Sequence, residues 1–204
     1  MQPRAQATRD AVLNAAAAVF ERRGYAAAKI TEILAEGGVS KGAAYFHFDS
    51  KEGIARAIVA EQSSWREAWV PAAGSTLQQL IDASYAFAEA LRTDVIMRAS
   101  IRLTLERNTF EQRHGEVDQY RQWLNIIDAH MRAADERGEL SVGTDAASNQ
   151  VLSSITGTQL VSEVLANRSD IVSRFHDMWI VQLPGIVRAE HRLELDLRPP
   201  AERK

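Results

Sequence analysis

Two short helical segments joined by a glycine turn constrain the fold of this chain more than any other feature. Lys29 to Glu36 has helical character, Gly37-Gly38-Val39 forms a turn, and Ser40 is a favourable N-cap for the helix that follows. Two helices joined by a short turn that contains glycine are typical of a helix-turn-helix, whose second helix enters the major groove of DNA. We therefore expect a helix-turn-helix near the N-terminus.

The candidate recognition helix, which begins at Lys41, has an inner and an outer face. Ala44 and Phe48 are four residues apart, so they share one face, which we expect to pack inward. Lys41 and Tyr45 are also four apart and share a different face. Gly42 lies beside them, and its lack of a side chain lets the backbone approach DNA closely. The outer face is therefore the predicted DNA-reading surface.

Several side chains in this region can contact DNA phosphates. Lys41 and Lys51 can neutralise them, while Tyr45 and His47 can donate hydrogen bonds to phosphate oxygens. The start of a further helix near Lys51 adds a partial positive charge. The predicted DNA-binding residues are Lys41, Gly42, Tyr45, His47 and Lys51, of which Lys41, Gly42 and Tyr45 are expected to reach base edges.

An exposed amphipathic helix with no role in DNA binding is the alternative interpretation of this segment. A lysine and a tyrosine at helical spacing occur often by chance. Here, however, the turn, the cap, Gly42, the pair Tyr45 and His47, and Lys51 occur together at fixed offsets. Their combination favours the helix-turn-helix.

Helical periodicity extends over nearly all of the chain. Gly24 is expected to end the first helix, and Ser50 to begin a fourth helix that runs to residue 70, before Pro71. Further helices are expected at 75–92, 95–107, 117–137, 145–167 and 169–190. The tail from Leu195, rich in proline and charge, is expected to fray. The predicted fold class is all-α: an N-terminal helix-turn-helix three-helix unit followed by a larger helical body.

The distribution of charge agrees with a separate DNA-reading module. Eight Lys and Arg against six Asp and Glu give residues 1–60 a net charge of +2, although the whole chain carries −3. A mildly basic N-terminal part on an acidic remainder fits a nucleic-acid-binding module.

Other classes of protein are disfavoured by what the sequence lacks. It has no cysteine, which excludes disulfides and thiolate metal sites. It has no uninterrupted apolar stretch of about 20 residues, and the apolar run before Glu21 resembles a helix more than a signal peptide, so we expect a cytoplasmic protein. The motifs of common enzyme classes are absent and the five histidines are scattered. We therefore predict no enzymatic activity, no cofactor and no metal site.

The N-terminal residues resemble the tetracycline-repressor (TetR) family of one-component regulators. The resemblance spans about residues 8–62 and is carried by Gly24-Tyr25, Ile30-Thr31-Glu32-Ile33, Val39-Ser40-Lys41-Gly42, Tyr45-Phe46-His47-Phe48 and Lys51-Glu52. It implies a homodimer whose N-terminal helix-turn-helix binds operator DNA and whose helical body binds a small ligand that relieves repression. The implied domains are 1–50 for DNA binding, with 51–70 as a connecting helix, and 51–204 for ligand binding and dimerisation. Ala44 departs from the family, which usually has leucine there.

A narrower resemblance is to the γ-butyrolactone autoregulator receptors of actinomycetes. It rests on the recognition helix together with Ala60-Glu61-Gln62, Tyr120-Arg121-Gln122-Trp123 and Gly157-Thr158. In that subfamily a tryptophan lines the hormone pocket, and a glutamine and a threonine anchor polar groups. The matching positions are Trp123, Gln62 and Thr158.

A ligand pocket needs an apolar hollow with a few polar groups. The predicted ligand-binding residues are Gln62, Tyr85, Trp123 and Thr158. Each has an ordinary structural interpretation without the resemblance. Trp123 fits a plain core position, Gln62 a solvated surface, and Thr158 a hydroxyl that bonds back within its own helix.

The last two long helices carry broad apolar faces. Their members are Val151, Leu152, Ile155, Leu160, Val161, Val164, Ile171, Val172, Phe175, Met178, Trp179, Val181, Leu183 and Ile186. Packing within one protomer is one interpretation. We favour a homodimer through these two helices, because recognition of half-sites by a helix-turn-helix usually requires a dimer.

Ligand binding near Gln62 is expected to pivot the fourth helix and change the separation of the two recognition helices, which must match one DNA turn of about 34 Å. Two related functions remain alternatives to a γ-butyrolactone receptor: a pseudo-receptor that answers other small molecules such as antibiotics, and a multidrug-responsive repressor.

Overall fold

The computed structural model describes residues 3–67, 77–106 and 116–203. The helices are α1 Pro3–Ala27, α2 Ile30–Gly37, α3 Lys41–His47, α4 Lys51–Glu67, α5 Leu77–Thr93, α6 Val95–Leu105, α7 Glu116–Glu136, α8 Thr144–Ala166, α9 Ile171–Ile186 and α10 Ala189–Arg192, with a 3₁₀ turn at Pro200–Glu202. The predicted all-α fold is confirmed, since these described ranges contain no strand beyond an isolated bridge between Leu140 and Val187.

None of the helices in the described ranges combines the length and the hydropathy of a membrane-spanning helix. Val70 and Pro71, where the fourth helix was expected to end, lie outside the described residues.

The first of two compact units comprises residues 1–68 and 94–119, and so contains α1 to α4 together with α6. Its core is built on Phe20 of α1, Ile33 of α2 and Ile58 of α4, all almost fully buried. Ala99 and Leu103 of α6 are buried in the same cluster. The packing of α6 against the N-terminal helices is a long-range contact that the sequence pattern did not indicate.

The first helix is interrupted at Gly24, the residue at which the sequence analysis expects it to end. Gly24 has φ 74° and ψ 169°, outside the helical region, and a short helical turn follows to Ala27. A positive φ favours glycine, and a Cβ at this position would overlap the carboxylate of Glu106. Both the backbone angle and the space therefore call for glycine.

The second unit comprises residues 69–93 and 120–204. Helix α5 packs against α9, and α8 packs against α9. Phe175 and Trp179 are almost fully buried on α9, and the Trp179 indole donates a hydrogen bond to Ser84 Oγ of α5 at 2.8 Å. These contacts place α9 at the centre of the unit.

The C-terminal tail is bound to α5, although the sequence indicated a frayed segment. Gln78 and Asp196 exchange two hydrogen bonds, with Gln78 Nε2 donating to the Asp196 carbonyl at 3.0 Å and the Asp196 N–H donating to Gln78 Oε1 at 2.8 Å. Arg203 forms an ion pair with Asp82 at 2.6 Å. Prolines and charges in the tail thus did not preclude order, because α5 supplies matching polar partners.

Candidate DNA-binding and effector sites

The turn between α2 and α3 is closed by hydrogen bonds that fix how α3 leaves α2. Gly38 has φ 59°, a left-handed conformation that favours glycine, and the Val39 N–H donates to the Leu34 carbonyl at 3.1 Å. Ser40 Oγ accepts from the Ala43 N–H at 3.2 Å, so the predicted N-cap is confirmed. The orientation of α3 therefore follows from local sequence.

The two faces of α3 are divided as the spacing predicts. Ala44 is 3% exposed and Phe48 is 9% exposed, and both belong to the core of the first unit. Lys41, Gly42 and Tyr45 are exposed, and Lys41 Nζ lies 5.7 Å from the centroid of the Tyr45 ring. The outer face thus presents an ammonium, a bare Cα and a phenol side by side.

Gly42 is not required by the fold of the protomer. Its φ lies outside the left-handed region, and a Cβ built on it meets no atom within 4 Å. Glycine inside a helix costs about 0.5–1 kcal/mol relative to alanine. A residue that destabilises its own helix and faces open space suits a surface that must approach another molecule closely.

Phe46 is an exposed aromatic side chain on α3 that the sequence analysis did not select. It is 80% exposed, and its ring meets the ring of half-buried His47 edge to face at 5.1 Å. The spacing gave a signal for it, since a residue midway between the inward Ala44 and Phe48 must point away from the core. The aromatic pair extends the outer face toward the C-terminal end of α3.

Lys51 is held by backbone carbonyls, a contact that the sequence did not predict. Its Nζ donates to the Tyr25 carbonyl at 2.8 Å and to the Ala28 carbonyl at 2.9 Å, and it lies 4.3 Å from the centroid of the Tyr25 ring. Burial lowers the pKa of Lys51 below its ordinary value. The ammonium has three N–H donors, so two are committed to the last turn of α1 and to the residue that follows it.

Most of the other cations near the N-terminus are paired with carboxylates. The ion pairs are Arg9–Glu61, Arg22–Glu36, Arg23–Glu32 and Arg56–Glu52. Within the described ranges, Lys41 forms no such pair. Its ammonium therefore extends from α3 with its charge uncompensated by a neighbouring acid.

The residues predicted to bind a ligand are spread over four helices. Gln62 of α4 is 2% exposed, which rules out the solvated surface position that is ordinary for glutamine. Trp123 of α7 is half-buried, and its ring centroid lies 5.6 Å from that of Phe87 on α5. Thr158 of α8 is half-buried.

Tyr85 of α5 is directed at α9 and the tail. Its hydroxyl donates to the Leu197 carbonyl and lies 3.3 Å from His176 Nδ1, and burial raises the pKa of Tyr85 to about 12. Tyr85 and Phe87 are two residues apart, so they point to different sides of α5. Trp123 thus contacts Phe87, whereas the Tyr85 hydroxyl is hydrogen-bonded to the C-terminal tail.

An apolar surface is exposed along α8 and α9. It is formed by Val161, Val164 and Leu165, which are 45%, 80% and 70% exposed, and by Ile180 and Val181, which are 47% and 79% exposed. Other apolar residues that the sequence assigned to an interface are buried within the protomer, namely Val151, Ile171, Phe175, Trp179, Leu183 and Ile186. One face of these helices therefore packs within the protomer, and the other face is exposed and available for a dimer interface.

The helical fold and the exposed polar face of α3 define a helix-turn-helix DNA-binding regulator. The chain belongs to the TetR family: residues 12–58 match the family described as "Bacterial regulatory proteins, tetR family", and residues 74–188 match the "Tetracyclin repressor-like, C-terminal domain". Regulators of this family bind operator DNA and small-molecule effectors and act as dimers.

Several characterised proteins are similar to this chain over all or nearly all of its length. The chain is 38% identical over 215 residues to the A-factor receptor protein of Streptomyces griseus, a match that covers 100% of this chain and 76% of that protein. It is similar to a solved gamma-butyrolactone receptor described as ArpA-like, with a TM-score of 0.80, 27% identity and 94% of each chain covered. It is also similar to CprB of Streptomyces coelicolor, solved in complex with its biological operator sequence, with a TM-score of 0.80, 28% identity and 94% of each chain covered. The chain is thus a TetR-type DNA-binding regulator closely related to these receptors.

Proposed function

We propose that this protein is a homodimeric, cytoplasmic repressor that binds operator DNA through α3 and leaves it when a γ-butyrolactone-like signalling molecule binds. The observation that carries the proposal is the exposed face of Lys41, Gly42 and Tyr45 in a chain whose whole length resembles an A-factor receptor. Because its matched relatives are regulators, we propose no catalytic role.

The DNA contacts divide into those that position and those that specify. Lys41 carries an uncompensated charge to a phosphate or a guanine edge, and Tyr45 donates to a phosphate or a base. Gly42 lets α3 enter the groove closely, and His47 donates to a phosphate beside it. Phe46 is suited to apolar contact with a thymine methyl group.

Lys51 has fewer hydrogen-bond donors available for DNA than the sequence suggested. With two N–H groups committed to the carbonyls of Tyr25 and Ala28, one donor is left for a phosphate. The held ammonium is therefore positioned before DNA arrives, which reduces the entropy lost on binding.

The dimer forms through the apolar surface of α8 and α9. Val164 and Val181, each about four-fifths exposed, are its central residues. Two α8–α9 pairs make a four-helix interface, a common solution for twofold symmetry. Such a dimer presents two α3 helices to half-sites about one DNA turn, or about 34 Å, apart.

Trp123 and Thr158 of the second unit, and separately Gln62 of the first unit, are the residues that we propose for the response to the effector. Support comes from the resemblance of these positions to the γ-butyrolactone receptors and from the aromatic pair of Trp123 and Phe87, which supplies one wall of an apolar pocket. Tyr85 joins such a site only if its hydroxyl exchanges the Leu197 carbonyl for the ligand. The effector releases DNA because it binds the DNA-incompetent state more tightly.

A gel-shift titration tests the proposal, using a duplex taken from upstream of this protein's own gene. We expect a synthetic γ-butyrolactone to release the wild-type protein, and a Trp123→Ala variant that still binds the duplex to resist release. Release by antibiotics and not by the lactone would instead favour the pseudo-receptor or multidrug-responsive repressor. Equal release of the wild type and the variant would place the effector elsewhere.

A further inference from the structure

Three polar side chains, two from α6 and one from the residue that caps its C-terminus, meet the end of α1. Arg98, Arg102 and Glu106 are spaced four residues apart, so they share a helix face. Arg98 forms an ion pair with Glu21 of α1, and Arg102 donates to the Glu21 carbonyl. Glu106 continues this row to the break in α1.

The Glu106 carboxylate is bound to the backbone of that break. Its Oε2 accepts a hydrogen bond from the Tyr25 N–H at 2.8 Å, and its Oε1 accepts one from Arg102 Nε at 2.8 Å. The same carboxylate packs against the bare Cα of Gly24, where a Cβ would displace it. The left-handed φ of Gly24 turns the Tyr25 N–H out of the helix, so that a group outside α1 can accept it.

Tyr25 is therefore held from two sides by different helices. Its N–H donates to Glu106, the residue that caps the C-terminus of α6. Its carbonyl and its ring both contact the ammonium of Lys51, the first residue of α4. Lys51 follows the recognition helix by only four residues. One backbone residue thus joins α6 to the start of α4.

We propose that Glu106 is a positioning residue for operator binding, which acts through Tyr25 to hold the Lys51 ammonium and the start of α4 in place for a DNA phosphate. This inference rests on the proposed DNA-binding role of Lys51. It means that a displacement of α6 would change DNA affinity through the contacts from Glu106 to Tyr25 and from Tyr25 to Lys51. The coupling is local, since it requires the carboxylate only to leave the Tyr25 N–H.

Whether Glu106→Gln strengthens or weakens DNA binding distinguishes a positioning role from a general effect of charge. Replacing Glu106 by glutamine removes a negative charge from the DNA-binding unit, which by itself strengthens attraction to DNA. Glutamine has one acceptor oxygen where the carboxylate has two, so its NH2 group must face either the Tyr25 N–H or the Arg102 Nε–H. This weakens the positioning contact, and we expect DNA binding to weaken with it. Glu61→Gln is the matched control, because Glu61 lies in the same unit, pairs with Arg9 at 3.5 Å and takes no part in the contacts of Tyr25 described above.

The experiment measures affinity for two duplexes, one from upstream of this protein's own gene and one scrambled, over a range of salt concentrations. We expect Glu106→Gln to bind both about tenfold more weakly than wild type, and Glu61→Gln to bind at least as tightly as wild type. The slope of log affinity against log salt is expected to fall by about one per half-site in Glu106→Gln, as for loss of one phosphate contact.

A double-mutant cycle with Lys51→Met tests whether Glu106 acts through Lys51. We expect Glu106→Gln to change affinity less than twofold in the Lys51→Met background, because residues that act through one contact are not additive. An equal loss in both backgrounds, or a Glu106→Gln variant that behaves like Glu61→Gln, overturns the inference.

The failure of the proposed function is distinguishable from the failure of this inference. If wild type binds the upstream duplex no more tightly than the scrambled one, operator recognition fails. The salt dependence of affinity for the scrambled duplex still measures the phosphate contact, because that contact does not depend on base sequence. Amide hydrogen exchange at Tyr25 then tests the contact itself, with faster exchange expected in Glu106→Gln than in Glu61→Gln and equal protection counting against it.

Discussion

The hydroxyl of Tyr85 donates a hydrogen bond to the backbone carbonyl of Leu197, so a helix in the middle of the sequence holds the C-terminal tail. His176 Nδ1 lies 2.9 Å from the same carbonyl. The reciprocal pair of Gln78 and Asp196 lies one residue away. The tail is therefore a structural part of the second unit, and it occupies a hydroxyl that the sequence assigned to a ligand.

Removing the Tyr85 hydroxyl is expected to destabilise the protein by about 1 kcal/mol, the usual contribution of one hydrogen bond. The Tyr85→Phe variant keeps the buried ring and loses only the donor. Urea unfolding followed by circular dichroism gives the change. Tyr45→Phe is the control, because Tyr45 is exposed on α3, and it is expected to leave stability unchanged. Equal stability of wild type and Tyr85→Phe would mean that the tail is not held by this bond.

The same phenol predicts a dependence of stability on alkaline pH. Burial raises the pKa of Tyr85 to about 12, from about 10 when it is unfolded. The folded state therefore binds one more proton than the unfolded state between these values, and stability falls as pH rises through this window. Wild type should keep its full advantage over Tyr85→Phe below pH 10, and this advantage should shrink and then reverse as pH rises toward 12, because a shift of about two pKa units outweighs one hydrogen bond. A constant difference across that range would contradict the raised pKa.

Replacing Gly42 by alanine should move stability and DNA affinity in opposite directions. Alanine is favoured in a helix by up to about 1 kcal/mol, and the added methyl meets open space in the protomer. On operator DNA the same methyl obstructs close approach, and we expect affinity to fall at least about tenfold. Thermal unfolding and fluorescence anisotropy measure the two quantities. A stabilised variant with unchanged affinity would place the close approach at another residue.

A charge on the apolar surface of α8 and α9 should dissociate the dimer. Burying a valine side chain contributes about 1.5 kcal/mol or more, and the twofold axis doubles the loss. Val164→Asp is therefore expected to raise the dimer dissociation constant more than about a hundredfold. Analytical ultracentrifugation measures it. Val142→Asp is the control, since Val142 is 40% exposed but lies before α8. A dimer that survives Val164→Asp and not Val142→Asp would place the interface elsewhere.

Local patterns predicted the recognition helix well, and long-range contacts were missed. Ala44 and Phe48 could be assigned to the core because helical spacing alone decides which residues share a face. The contact of Lys51 with Tyr25 could not be foreseen, since it joins residues 26 positions apart through backbone carbonyls. The Glu106 contact spans 81 positions, and it depends on how α6 packs.

The candidate effector residues show the same division. The sequence placed Trp123 in a pocket or in the core, but it could not identify the neighbour Phe87, which is contributed by another helix. The partner of Tyr85 is a main-chain carbonyl in the tail, and a carbonyl has no sequence signature of its own. Burial of Gln62 likewise depends on tertiary packing, because glutamine is ordinarily exposed.

The most direct test of the account is the salt-dependent affinity of the dimer for a labelled duplex from upstream of its own gene, compared with a scrambled duplex and with the Lys41→Ala variant. We expect the wild type to prefer the upstream duplex and to lose affinity steeply as salt rises, and Lys41→Ala to lower the salt slope by about one per half-site. Equal affinity for both duplexes, or a Lys41→Ala variant with unchanged affinity and slope, would contradict the assignment of α3 as the DNA-reading helix.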